Sequence, residues 1–297
     1  MHNGPMSNLT ARWAGLSLLA VTCTGWAMNW AFMKLLLREW PPLFSRGVSG
    51  VAAALILASL ARVRGESLYV PAAAWPVLLF GAFTNVFAWM GFGTAAMVEL
   101  SISEGTLLVY TMPIWAMLLS WPLLGARPRP REIAALLLGV AGIVVLLAGH
   151  GFAPTAVKLN GIALALAAAI LFAFGSVRAK APLPLAPIAQ VAWQVGLGCA
   201  PMVLFGLAAE QPDFARLSTS GAAVLIYMTL GPMGLCYLTW FAALRRLPAS
   251  TAALGTLIVP VIGVIAATLL LGEPLGLREI VAAMLTLGGV ALAIRRD

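Results

Sequence analysis

Charge is the scarcest ingredient of this chain. Only 9% of its 297 residues are Asp, Glu, Lys or Arg, where a soluble domain carries roughly 25%. No acid lies in the interior of any long apolar run, so the sequence shows no buried carboxylate relay for protons. Histidine is limited to His2 at the terminus and His150 between apolar runs. No histidine-based metal or catalytic centre can be assembled from that pair, and an integral-membrane enzyme would lack its nucleophile and base. Cys23, Cys199 and Cys236 each fall inside an apolar run, without metal-ligand spacing, and read as small buried fillers. There is no G-x-x-x-x-G-K-[ST] stretch, so ATP is not hydrolysed here by a P-loop. Neither a ring of charges nor a repeated filter loop marks a channel. Nothing in these residue types calls for a cofactor.

What is present in quantity is apolar sequence, 62% of the chain with a mean hydropathy of +0.98. Each helical residue advances about 1.5 Å, so crossing a hydrocarbon core about 30 Å thick takes about 20 residues. On that measure ten spans are predicted, over 13–33, 42–61, 75–97, 104–123, 132–148, 160–178, 187–208, 221–243, 250–271 and 279–294. Pro- and Arg-rich separators such as Pro41-Pro42, Arg127-Pro128-Arg129-Pro130 and Pro182-Leu183-Pro184 divide them. The net charge of +8 comes from short basic clusters between the runs, which points to membrane orientation rather than nucleic acid. With the N-terminus placed in the cytoplasm, twelve Lys and Arg fall on the cytoplasmic side and five outside, with Arg46 inside a span. Lysine and arginine accumulate in cytoplasmic loops, so both termini are expected inside.

Residues 104–146 and 251–293 repeat one pattern at a constant offset of 147 residues. Pro113 matches Pro260, Gly125 matches Gly272, Arg131-Glu132 matches Arg278-Glu279, and Gly142 matches Gly289. Five spans per half is an odd number, so the second half enters the membrane from the opposite side. The expected fold is an all-α membrane protein of two inverted five-helix repeats, over 13–148 and 160–294, with the substrate site between them. Gly139 to Gly142 and Gly288-Gly289 read first as close helix packing and second as a dimer contact.

Polar groups at membrane depth are costly unless paired, which makes them default site candidates. Trp26, Asn29, Asn85, Trp89, Tyr110, Gln190, Trp193, Tyr237 and Trp240 are the principal candidates for a substrate-binding cavity with aromatic walls, with Trp30, Gln194 and Tyr227 beside them. Against that, Trp and Tyr near span ends form an interfacial belt, and Asn or Gln bonds a neighbouring helix. Arg46 either meets a substrate carboxylate or snorkels to the outer headgroups. Glu104, beside the external turn, is the acid best placed for a coupling role.

The stretches GWAMNWAFMKLLL (25–37) with Pro41-Pro42 and Arg46, YLTWFAALRRLPASTAAL (237–254) and VPVIGVIAATLLLGEPLGLREI (259–280) resemble the drug/metabolite transporter superfamily. The match is to its ten-helix exporters with two EamA-type repeats, and within them to the bacterial aromatic amino-acid exporters. Gly272-Glu273-Pro274 is the most specific of these motifs. In the first half Gly125-Ala126-Arg127 stands in its place, so that loop is expected to pack differently. The resemblance implies an inner-membrane exporter of small amphipathic metabolites, aromatic and other amino acids among them, working by alternating access as the halves rock. The same fold also suits a broad drug/metabolite facilitator or an importer of another substrate class. The partners implied are the small-molecule substrate and the bilayer, with the oligomeric state open.

Overall fold

The computed structural model describes residues 5–125, 129–148, 156–178, 183–247 and 255–294. The described residues form ten helical segments. The first half holds α1 (Pro5–Leu36), α2 (Pro42–Val63), α3 (Ala72–Glu99), α4 (Ile102–Leu124) and α5 (Pro130–Ala148). The second holds α6 (Ala156–Arg178), α7 (Pro187–Glu210), α8 (Thr219–Leu244), α9 (Ile258–Leu271) and α10 (Leu277–Ile294). Seven of them are long and apolar enough to cross a membrane. α9 is shorter, its 14 residues giving about 21 Å at 1.5 Å each. The predicted span 250–271 began earlier, but Gly255 and the turn at Thr256-Leu257 precede this helix and 250–254 lie outside the described residues.

Local sequence explains where the helices start and stop. Pro42, Pro130 and Pro187 open α2, α5 and α7, at positions where the missing N–H has no helical partner to lose. Gly125 and Gly272 close α4 and α9 at φ 72° and 69°, in the left-handed region that glycine enters without a Cβ clash. They are repeat equivalents, so both halves end this helix by the same device. α4 breaks at Tyr110-Thr111, just before Pro113. Tyr110 still donates its N–H to the Thr106 carbonyl at 2.9 Å, so it ends the first part of the helix.

α3 and α8 each contain a π-helical stretch, Ala82–Phe92 and Gly231–Leu235. At the 147-residue offset the second falls inside the first. Wider turns of this kind concentrate at functional sites.

The halves are interlaced. α1 packs against α8 and α9 of the other half, and α6 packs against α3 and α4. α2 lies on α7, and α5 on α10. The last pair meets through glycine. A Cβ on Gly289 would sit 2.6 Å from the Ala135 carbonyl oxygen, and one on Gly142 would sit 2.8 Å from the Thr286 amide nitrogen. Gly288, by contrast, faces open space. Gly142 and Gly289 therefore serve packing within one chain.

The few acids go to helix starts. The first N–H groups of a helix lack internal partners and sit at its positive end, so a carboxylate there is stabilising. Glu39 accepts from Ser218 N at 2.8 Å and Ser218 Oγ at 2.7 Å, ahead of α8. Glu66 accepts from Ala189 N at 3.2 Å in α7. Glu210 accepts from Leu43 N and Phe44 N at 3.1 and 2.8 Å in α2. Glu273 accepts from Ile102 N with both oxygens, at 3.1 and 3.0 Å, in α4. Each of these four caps a helix of the opposite half. Outward faces are apolar: Leu55, Leu137, Leu204, Leu269 and Met284 are all more than 60% exposed. A soluble protein does not present such a surface; lipid is its solvent.

Candidate functional site

A cavity of about 570 Å³ lies between the halves. α1, with Trp26, Asn29, Trp30 and Met33, runs along it, and the π stretch of α3 adds Asn85, Val86, Trp89 and Met90. Tyr110 and Met112 come from the break in α4, Phe172 and Ser176 from α6, Gln190 and Gln194 from α7, and Tyr237 and Trp240 from α8. Among the described lining residues only Ser176, in the last turn of α6, is exposed. Met33, Thr94 and Arg46 at the other end are buried. The cavity thus opens toward the end of the molecule bearing Arg178.

Its rings form two walls. Trp26 meets Tyr237 edge-on at 5.9 Å between centroids and Trp240 at 5.6 Å. Trp89 meets Phe172 at 4.8 Å and Tyr110 at 6.1 Å, and Tyr110 continues to Trp30 at 6.5 Å. Trp26 Nε1 donates to the Pro232 carbonyl at 3.2 Å, within the π stretch of α8. Such walls offer large flat apolar area with little rotamer freedom to lose on binding.

Arg46 is 7% exposed. Its Nη1 donates to Asn29 Oδ1 at 3.3 Å, and its Nε has no hydrogen-bond partner. The snorkelling alternative is therefore not what the fold adopts, because the first turn of α2 places the guanidinium against α1 instead of the headgroups. A buried charge left unpaired costs several kcal/mol, which makes Arg46 the most unusual group in the cavity. No Asp, Glu or His is among the described lining residues, and no group of three or more potential metal ligands forms among the described residues.

Eleven of the predicted residues line the chamber: Trp26, Asn29, Trp30, Arg46, Asn85, Trp89, Tyr110, Gln190, Gln194, Tyr237 and Trp240. Three others do not. Trp193 Nε1 donates to the Leu68 carbonyl at 2.9 Å and its ring packs edge-on against Trp75 at 5.5 Å, so it ties α7 to the segment ahead of α3. Tyr227 gives its hydroxyl to the Gly25 carbonyl at 3.0 Å. Glu104 lies at the sealed end, 2.6 Å from Lys158 Nζ, and forms a capping box with Ser101 at the start of α4. Lys34 closes the same end, donating to the carbonyls of Met97 and Leu100. Met33, Thr94, Phe172 and Ser176 also line the chamber, though none carries the Trp, Tyr or amide signal that marks the others. Ser176 is the repeat equivalent of Asn29, and the offset alone would have found it.

Comparison with known proteins agrees with this architecture. The chain is 27% identical over 276 residues to "Uncharacterized transporter YvbV" of Bacillus subtilis, covering 93% of this chain and 90% of that protein. It is 30% identical over 207 residues to "Aromatic amino acid exporter YddG" of Ancylobacter novellus, covering 67% of each. One crystal structure aligns over 96% of both chains with a TM-score of 0.67 at 23% identity, a likeness of fold. The model of the EamA-like transporter family matches twice, over residues 13–148 and 159–295. Duplicated sequence, interlaced halves and an enclosed chamber between them are thus those of a transporter rather than an enzyme, and the chain belongs to the EamA-like transporter family.

Proposed function

We propose that this protein exports small amphipathic metabolites, aromatic and other amino acids among them, across a bacterial inner membrane by alternating access. The observation that carries the reading is the chamber itself. It is walled by Trp89, Tyr110 and Phe172 on one side and Trp26, Tyr237 and Trp240 on the other, with Arg46 set among them. Rings hold an apolar body, and Arg46, Asn29 and Asn85 hold a polar head. A relative whose name is an aromatic amino acid exporter supports the same class.

Direction follows from charge. The twelve-to-five distribution of Lys and Arg supports a cytoplasmic location for both termini. On that orientation the chamber opens inward, and the seal of Lys34, Glu104 and Lys158 faces out, as loading for export requires. Two measurements test the reading. Purified protein in vesicles should exchange labelled phenylalanine, tyrosine and tryptophan faster than labelled glycine; equal rates remove the aromatic part of the proposal. In a Cys-less background, an impermeant reagent applied to intact cells should label Cys at 158 and spare Cys at 129. The reverse pattern inverts the topology and turns the export direction with it.

A further inference from the structure

Within the chamber just described, and resting on its role as the transport site, the charge count decides which head group fits. Among the described lining residues Arg46 is the sole ionised group. No Asp, Glu or His is among the described lining residues to balance it. One of its five N–H groups is given to Asn29, and its Nε is unpartnered in a chamber wall. The empty chamber therefore carries a charge of about +1 in low dielectric, where charge is poorly tolerated.

An ammonium head finds little there. The Asn29 amide oxygen already accepts from Arg46, and the Asn85 amide oxygen, 3.3 Å from a Thr84 hydroxyl whose proton goes to the Phe80 carbonyl at 2.9 Å, offers an uncharged acceptor only. The uncharged amides of Gln190 and Gln194 remain, nearer the mouth on the first turns of α7. The bound state then has a different charge for each ligand class. An aromatic amine raises it to about +2, a zwitterionic amino acid leaves it at about +1, and a carboxylate without an amino group brings it to about zero. The guanidinium fork also matches a carboxylate in shape, which a lysine would not. From this geometry we propose that the site is selective for organic monoanions. The ligands of choice are aromatic carboxylates without an amino group, such as arylpropanoates and aryl 2-oxo acids, bound ahead of the corresponding amino acids and with exclusion of aromatic amines.

The test holds the ring constant and changes the head. Full-length protein in nanodiscs is titrated with 3-phenylpropanoate, phenylalanine and 2-phenylethylamine, read by tryptophan fluorescence and by thermal unfolding. The expected order is anion first, the zwitterion at least tenfold weaker, and the amine without measurable binding. Arg46→Met should bring anion and zwitterion to within about twofold of each other. Arg46→Lys, which keeps the charge, should retain the order with a weaker anion and so shows that loss in Arg46→Met is not misfolding. A zwitterion binding as tightly as the anion, or an amine binding at all, overturns the monoanion inference while leaving the aromatic chamber standing. If acetate and propanoate instead compete as well as 3-phenylpropanoate, the aromatic reading fails and the anion preference survives. Absence of binding by all three phenyl ligands overturns both.

Discussion

Arg46 and Trp193 occupy equivalent positions of the two repeats, 147 residues apart, yet only Arg46 faces the chamber. Trp193 instead bonds the Leu68 carbonyl beside Trp75. The duplicated scaffold is thus symmetric in its helices and asymmetric in its chemistry. One half supplies the charge and the other supplies a structural ring at the same address.

Removal of the chamber's rings should change selectivity, and removal of Trp193 should not. Trp89→Ala and Tyr110→Ala are expected to weaken binding of aromatic substrates more than that of alanine, by about 0.5–1.5 kcal/mol per lost ring contact. Asn85→Ala should weaken large and small substrates alike, by about 1.5–3 kcal/mol if its amide bonds a charged head. Trp193→Ala should instead lower the unfolding temperature and leave the order of substrates unchanged. Competition by a substrate series, paired with thermal unfolding, separates the three outcomes.

Gly289→Ala places a methyl group where only 2.6 Å separates it from the Ala135 carbonyl oxygen, so α5 and α10 must part. A loss of roughly 1–3 kcal/mol is expected, the usual cost of overpacking. Gly288→Ala, one residue earlier and facing open space, should be neutral or slightly stabilising. Equal effects of the two substitutions on denaturation would show that this helix pair is not packed through Gly289.

Glu39, in the loop between α1 and α2, is held below the usual carboxylate range by the side-chain and backbone hydrogen bonds from Ser218, which outweigh a small opposing effect of desolvation. A depressed folded-state pKa contributes stability above the unfolded value and loses it as pH falls through the folded one. Glu39→Gln should therefore lower the unfolding temperature at neutral pH. The gap to the wild type should close in the acid range below about 4, where the unfolded carboxyl has already gained its proton. A gap independent of pH would mean that this cap does not depend on its charge.

Transport is expected to follow the substrate gradient without obligatory proton exchange, because no acid lines the described chamber and Glu104 sits at its sealed end beside Lys158. Vesicle flux at a fixed substrate gradient should survive collapse of the pH gradient. Flux that vanishes there, and loses its pH dependence in Glu104→Gln, would assign the proton to Glu104 instead.

Much of the fold was legible because lipid imposes a simple rule: long apolar runs separated by Pro and Arg can only be spans. Gly125 and Gly272 marked matching helix ends for the same reason that they are glycines. The side on which each polar residue falls was harder to read. An ordinary 3.6-residue periodicity does not hold across Ala82–Phe92, whose wider turns shift Asn85 and Trp89 relative to the residues before them. Trp193 and Gln194 are sequence neighbours of similar promise, and a difference of one helical step sends one to a backbone carbonyl and the other to the chamber. Arg46 could be read either way because reach alone does not say whether a long side chain turns to headgroups or to a neighbouring helix; Asn29 decides it. Glu273 was visible as part of a motif, but its bond to Ile102 in the other half exists only once the chain is folded. The departure of the first half, Ala126-Arg127 after Gly125, lies outside the described residues.

The interlacing of α1 with α8 and α9, and of α6 with α3 and α4, bears on how such a molecule can move. Rocking of one sequence half against the other would tear α1 from its contacts and strip four carboxylates from the helices they cap. The contacts group the helices across the halves instead: α1 with α8 and α9, and α6 with α3 and α4. Neither half is then a machine by itself. A gene fragment encoding five helices would need its complement in the same membrane before it acquired a stable shape, and a substitution in one half should find its natural suppressors in the other.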